Sequence, residues 1–101
     1  MLSYEKNRNT LIVRLSGELD QREAAEVRRT LDELLEDSGI RRLVFDLSML
    51  RFMDSSGIGL IIGRYKRIRR RNGSVAVTGL DDRMNRIFDM AGLYQLVERL
   101  A

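Results

Sequence analysis

The chain has 101 residues, of which 44% are hydrophobic and 33% charged, a composition typical of one folded globular domain. It contains neither cysteine nor histidine, which excludes a disulfide framework and removes the main ligands of zinc, copper and haem. The 18 basic and 15 acidic residues leave a net charge of +3, an excess too small to require a nucleic-acid partner. Binding of Mg²⁺ or Ca²⁺ by carboxylates stays open at this point.

The chain shows no sign of a second domain or of a membrane segment. Proline is absent and no Gly/Ser-rich linker separates the apolar segments, so we predict one domain over residues 1–101. Glu5, Lys6 and Arg8 precede the first apolar run, so we predict neither a signal peptide nor a spanning helix. The expected compartment is a reducing cytoplasm.

The first predicted elements are two strands. The β-branched run Thr10–Ser16 is typical of a strand, and Gly17 is expected to end it. The weaker segment Leu2–Asn7 can pair with this strand through a turn at Arg8 and Asn9. This pairing would be antiparallel.

A helix and a buried strand follow. Asp20 has the chemistry of an N-cap with Glu23 at the third helical position, and apolar residues at helical spacing continue to a stop near Ser38-Gly39. Arg42–Leu47 is an almost continuous apolar run, which is typical of a strand covered on both faces by crossover helices. The order of signals therefore indicates an α/β domain.

The second half of the chain repeats this alternation. A helical spacing follows Asp54 and stops at Asn72-Gly73, before the strand Ser74–Thr78. Asp81 or Asp82 can begin another helix, which Gly92 would end in a left-handed conformation. An amphipathic piece then carries Leu93, Leu96, Val97 and Leu100. The strand–helix–strand order predicts parallel pairing with right-handed crossovers.

The segment 52–59, Phe-Met-Asp-Ser-Ser-Gly-Ile-Gly, places two hydroxyls at the carboxyl end of a predicted strand, where functional loops usually lie. A nucleophilic serine here would need a base, normally a histidine, and the chain has none. Lys66 lies roughly two to three turns further along the helix, at 3.6 residues per turn. Serine hydrolysis is therefore disfavoured.

The glycines of this region resemble a dinucleotide-binding fingerprint only superficially. Gly63 comes one position too late after Gly57 and Gly59, and Asp54 would oppose a pyrophosphate. The chain also has too few strands for two mononucleotide-binding halves. We instead expect Gly59 and Gly63 to share one helix face and let the helix approach the sheet closely.

A basic run extends from Arg64 to Arg71 at the end of the same helix. It could bind nucleic acid or a membrane surface, but cations in the last turns also oppose the helix dipole. Tyr65, the one aromatic residue in the run, keeps the apolar spacing and is not placed for base stacking. We interpret the run as a solvated helix face.

A serine at this turn could also accept phosphate from another protein. The amides of a helix start would stabilise the added charge, while Asp54 would repel it. Simple N-capping by the Asp54-Ser55-Ser56 segment explains the same residues. Residue chemistry alone leaves both interpretations open.

The sequence closely resembles the anti-sigma factor antagonists of the STAS domain family, particularly those of the sporulation type. The matching segments occur in the expected order and span nearly the whole chain. They are Gly17-Glu18-Leu19-Asp20, Phe45-Asp46-Leu47, Phe52-Met53-Asp54-Ser55-Ser56-Gly57-Ile58-Gly59, Gly63-Arg64-Tyr65-Lys66 and Phe88-Asp89-Met90-Ala91-Gly92-Leu93. The resemblance implies an α/β fold in which a small mixed sheet of four to five strands carries about four helices, mainly on one side.

The resemblance also implies a function. A cytoplasmic bacterial regulator of this kind binds an anti-sigma factor, itself a serine kinase, and so releases a sigma factor for transcription. Phosphorylation of Ser55 by the kinase would end the binding, and a PP2C-type phosphatase would restore it. The partner-binding residues implied are Asp20, Asp54, Ser56, Gly57 and Ile58.

We also expect the protein to lack several properties. We expect a monomer that is not an enzyme, needs no cofactor or metal, and contacts neither nucleic acid nor a membrane directly. The alternative is a STAS module of a stress-response or other signalling scaffold, which would share the fold and the serine turn but bind a different partner.

Overall fold

The structure, a computed structural model that describes residues 1–101, contains one five-stranded sheet and three α-helices. The elements in chain order are β1 (Leu2–Asn7), β2 (Thr10–Leu19), α1 (Gln21–Leu34), β3 (Arg42–Met53), α2 (Ser55–Arg69), β4 (Ser74–Thr78), α3 (Asp82–Met90), a 3₁₀ turn (Leu93–Gln95) and β5 (Glu98–Arg99). The strands lie in the order β1-β2-β3-β4-β5, with β1 antiparallel to β2 and all other neighbours parallel. The predicted α/β fold with a small mixed sheet is confirmed.

All three helices cover the same face of the sheet. From β2 to β5 the strands are neighbours in the order in which they occur in the chain. Right-handed crossover connections between parallel strands in this order place every connecting helix on the same face of the sheet. The register aligns Val13, Phe45 and Val77 across β2, β3 and β4, and all three are fully buried under the helices. One hydrophobic cluster of 23 residues joins this sheet face to every helix. Burial of this apolar surface is the main force that holds the helices in place.

The opposite face of the sheet carries ion pairs and no helix. Arg14 contacts Glu5 at 2.9 Å and Asp46 at 3.6 Å. Arg42 contacts Glu98 at 3.1 Å. The expectation that helices cover the third strand on both faces is therefore wrong, because its crossovers all return on one side. The apolar run in β3 reflects its central position between β2 and β4.

The second and third strands are longer than their sequences indicate. Gly17 does not end β2, because it takes a positive φ of 84° within a pairing irregularity and the strand continues to Leu19. β3 runs beside it as far as Met53 rather than stopping at Leu47. A β-bulge is a pairing feature, so it is not visible in the pattern of either strand alone.

Helix α1 ends earlier than predicted, at Leu34 instead of near Ser38-Gly39. The turn that follows is held by Arg71, whose guanidinium donates to the carbonyl oxygens of Leu35, Asp37 and Ile40. Of these acceptors, Leu35 is the C-cap of α1, while Asp37 and Ile40 lie in the turn beyond it. Arg71, two residues beyond the end of α2, thus fixes the turn after α1.

The last amphipathic piece is not a helix. After Gly92, which takes the predicted left-handed conformation (φ 73°), the chain makes only a short 3₁₀ turn. The Leu100 amide then donates to the carbonyl oxygen of Val77 at 2.8 Å, and Glu98 pairs with Ala76 at the sheet edge. None of the helices combines the length and apolarity needed to cross a membrane.

The basic side chains from Arg64 to Arg71 point in two directions, so the prediction that they form a solvated helix face is correct only in part. Arg64, Arg67 and Arg71 point toward α1, where Arg67 lies 3.4 Å from Asp32. The remaining members, Lys66, Arg69 and Arg70, are exposed. Arg67 and Arg71 donate hydrogen bonds to α1 and to the turn after it, and so have a structural role.

We predict that Arg71→Gln lowers the free energy of unfolding by about 1–3 kcal/mol, because it removes charged hydrogen bonds to the turn after α1. Urea denaturation measures the change. The matched control is Arg70→Gln, which removes the same charge from an exposed neighbour and should change stability by no more than about 0.5 kcal/mol. Equal effects of the two substitutions would contradict the assignment.

Candidate functional site

Two helix starts lie side by side at the carboxyl edge of the parallel strands. Asp20 follows β2 and begins α1, while Asp54 follows β3 and begins α2. The Asp54 amide donates to the carbonyl oxygen of Leu19 at 3.4 Å, so the two strand ends are adjacent. The fold thus brings the predicted site residues of both turns to one edge of the sheet.

Aspartates, not serines, cap these helices. Asp54 Oδ1 accepts from the Ser56 amide at 2.8 Å, and Asp20 Oδ1 accepts from the Glu23 amide at 2.9 Å. Ser55 is the first residue of α2 and is exposed, whereas Ser56 is half-buried. Because Asp54 satisfies the helix start, the hydroxyl of Ser55 is not needed there.

Gly57 lets the first turn of α2 pack closely against the ends of β2 and β3. Its amide donates to the Asp54 carbonyl oxygen at 3.0 Å. A Cβ at this position would lie 2.4 Å from Met53 Cγ and 2.9 Å from Leu19 Cδ2, closer than atoms can pack. The next residue, Ile58, is half-buried and packs against the core. Of the residues predicted for partner binding, these two therefore also have a packing role.

Gly59 and Gly63 lie on one face of α2 as expected, but the expectation that this face approaches the sheet closely is wrong. A Cβ at either position would meet no atom within 4 Å, so neither glycine brings α2 close to the sheet. They instead line an open groove of about 510 Å³ between α1 and α2, which we call the α1–α2 groove. Its lining residues are Gln21, Ala24, Ala25, Arg28, Ser56, Gly59, Leu60, Gly63 and Arg64.

Sequence reasoning missed two features beside the serine turn. Arg28 and Arg64 line the groove, and burial lowers the pKa of the Arg64 guanidinium. Met49 and Phe52 of β3 are 69% and 36% exposed despite their apolar side chains. The buried Leu47, Leu50 and Met53 are spaced three residues apart, which departs from strand alternation in the part of β3 where its register with β2 shifts.

The chemistry available at the turn is that of an accessible hydroxyl beside carboxylates. The chain has no histidine, and the Asp54 carboxylate is engaged with the amide of Ser56. No group of three or more acidic side chains comes together in an arrangement that could hold a metal ion. Ser55 is therefore an exposed hydroxyl with no histidine to activate it as a nucleophile.

These features define a small α/β module with an exposed serine at a helix start, and comparison with known proteins assigns its family. The sequence profile of the STAS domain matches residues 1–101. The chain belongs to the STAS domain family, as its motifs predicted.

Related sequences and structures agree with this assignment. An anti-sigma F factor antagonist of Paenibacillus polymyxa is 42% identical over 96 residues, which cover 95% of this chain and 82% of the relative. An anti-sigma-B factor antagonist of Bacillus subtilis (strain 168) is 31% identical over 97 residues, covering 96% and 87% respectively. The structure of the Bacillus cell fate determinant SpoIIAA in its phosphorylated form superposes with a TM-score of 0.81 at 25% identity, covering 100% of this chain and 92% of that chain.

The two glycines at positions 57 and 59 should respond oppositely to alanine. Gly57→Ala overpacks the contact with Met53 and should lower the free energy of unfolding by about 1–3 kcal/mol. Gly59→Ala meets open space and should raise it by roughly 0.5–1 kcal/mol, since alanine favours a helix. Thermal and urea denaturation of both variants measure these changes, and a stabilising Gly57→Ala would show that the close contact is absent.

Proposed function

We propose that this chain is an anti-sigma factor antagonist and that Ser55 is its phosphorylation site. The observation that carries the proposal is the position of Ser55, exposed at the first residue of α2 and relieved of capping by Asp54. The 42% identity to an anti-sigma F factor antagonist supports the role over nearly the full chain. The likeness to SpoIIAA in a phosphorylated form supports regulation by phosphate.

The partner would be an anti-sigma factor that is also a serine kinase. The unphosphorylated chain binds this partner and so releases the sigma factor. Transfer of phosphate to Ser55 ends the binding, and a PP2C-type phosphatase restores it. The chain itself contributes a binding surface and an acceptor hydroxyl, not catalysis.

The physical basis of the switch is charge at a surface that binding must cover. A phosphoserine adds close to two negative charges beside the Asp54 carboxylate. A partner that covers Ser55 would bury this charge, and an uncompensated buried charge costs about 3–5 kcal/mol. The cost corresponds to two to four powers of ten in affinity, at 1.4 kcal/mol for each. No refolding of the domain is required.

Residues around Ser55 would shape the contact. Asp20 is half-buried and uses Oδ1 in its cap, which leaves Oδ2 for a cationic side chain of the kinase. Asp54, Ser56, Gly57 and Ile58 fix the position of the helix start that presents Ser55. A charged contact by Asp20 would give specificity more than affinity, as is usual for charges at an interface rim.

The proposal extends to the domain organisation, the compartment and the oligomeric state of the chain. Residues 1–101 form one STAS domain that acts as a cytoplasmic monomer, without direct contact to nucleic acid or membrane. A STAS module of a stress-response or other signalling scaffold, which would bind a different partner, is the second candidate. The higher identity to the anti-sigma F antagonist, 42% against 31%, favours the sporulation type.

Incubation with ATP and an anti-sigma F factor kinase should place one phosphate on Ser55, as located by mass spectrometry of peptides. Ser55→Ala should receive none. Ser56→Ala is the matched control, because it removes the neighbouring hydroxyl and should still be phosphorylated. A phosphate on Ser56, or none on the wild-type chain, would contradict the site.

Calorimetric titration with the same kinase should show tight binding by the wild-type chain and a loss of about a hundredfold or more for Ser55→Asp. Circular dichroism should stay native, because the cap at Asp54 is intact. Ser38→Asp adds a charge at an exposed serine in the turn after α1 and should bind normally. Tight binding by Ser55→Asp would refute the switch, and failure of the wild-type chain to bind any anti-sigma factor would favour the second candidate.

A further inference from the structure

The α1–α2 groove contains a buried cation whose donors lack partners. The Arg64 side chain is only 11% exposed, and its Nε and Nη1 atoms make no hydrogen bond within the protein. Its nearest carboxylate oxygen, Asp32 Oδ1, lies 3.3 Å from Nε but without hydrogen-bond geometry. Buried guanidinium donors are almost always satisfied by protein, water or ligand.

The charges around Arg64 do not balance. Asp32 is shared, because its Oδ1 also accepts from Arg67 Nη1 at 3.4 Å. Arg67 contacts Glu36 at 3.7 Å as well, so two carboxylates face Arg64 and Arg67. Arg28 is a third cation at the same groove. Burial lowers the pKa of Arg64, and the charge of Arg28 lowers it further. Two cations, Arg28 and Arg64, and no acidic side chain line the groove itself.

The glycines keep this charged space open. Gly59 and Gly63 lie in the interior of α2, where glycine is unfavourable, and no close contact explains either of them. Ala24 and Leu60 add apolar wall to the same groove, and Ser56 adds a hydroxyl. A volume of about 510 Å³ is within the range of sites for small molecules.

We propose that the α1–α2 groove binds a small organic anion. A carboxylate or phosphate group of the ligand accepts a hydrogen bond from Arg64 Nη2, the guanidinium nitrogen that is not buried, and is further neutralised by Arg28, while an apolar body lies against Ala24 and Leu60. Hydrogen bonds between a guanidinium and such anionic groups are stronger than those between neutral groups. The inference does not depend on phosphorylation of Ser55.

Nuclear magnetic resonance of the full chain tests the site. Phenyl phosphate and benzoate serve as probes, each compared with sodium chloride at equal ionic strength. Saturable shifts of the Arg64 Nε–Hε signal and of the Gly59 and Gly63 amides are expected with at least one probe. Comparison of the two probes distinguishes a phosphate from a carboxylate ligand. No saturable shift with either probe would overturn the proposal and indicate a groove filled by water.

Two variants assign the binding to the groove. Arg64→Gln removes the guanidinium, and Gly63→Ala adds a methyl group to the groove wall where no atom of the fold lies within 4 Å. Each should weaken probe binding on the order of tenfold. Arg69→Gln, which removes an exposed cation of the same helix, should leave it unchanged. If Arg64→Gln does not fold, Gly63→Ala decides alone, and unaltered binding by a folded Gly63→Ala would overturn the location.

Discussion

The arrangement of this domain depends on a missing side chain at Gly57. The first turn of α2 rests on Met53 and Leu19, the last residues of two parallel strands, at a distance that excludes even a methyl group. This contact sets the height of α2 above the sheet. The two capped starts and the groove between α1 and α2 lie at the same edge of the fold as this contact.

Much of the fold was predictable because its signals are local. The caps at Asp20 and Asp81 and the strand Ser74–Thr78 are found where the sequence indicates, since capping chemistry and β-branched runs act within a few residues. The full lengths of β2 and β3 could not be predicted in this way. They depend on a pairing irregularity at Gly17, which is a property of two strands together.

The functional site, too, was predictable from the sequence only where its signals are local. The position of the serine turn follows from the alternation of strand and helix, but the direction in which a helix face points depends on its neighbours. Gly59 and Gly63 carry identical local signals whether they face a sheet or a groove. Likewise, only its contacts with the turn after α1 separate the structural Arg71 from the exposed Arg70. Tertiary contacts, not composition, decided both cases.

The cap at Asp54 has a consequence for how stability and regulation relate. Had a serine hydroxyl held the helix start, modifying it would have cost a hydrogen bond that the fold needs, about 1 kcal/mol. The cap uses a carboxylate and the amide of Ser56 instead. The hydrogen bond that begins α2 therefore does not use the Ser55 hydroxyl, and a chemical change at that hydroxyl would leave the cap in place.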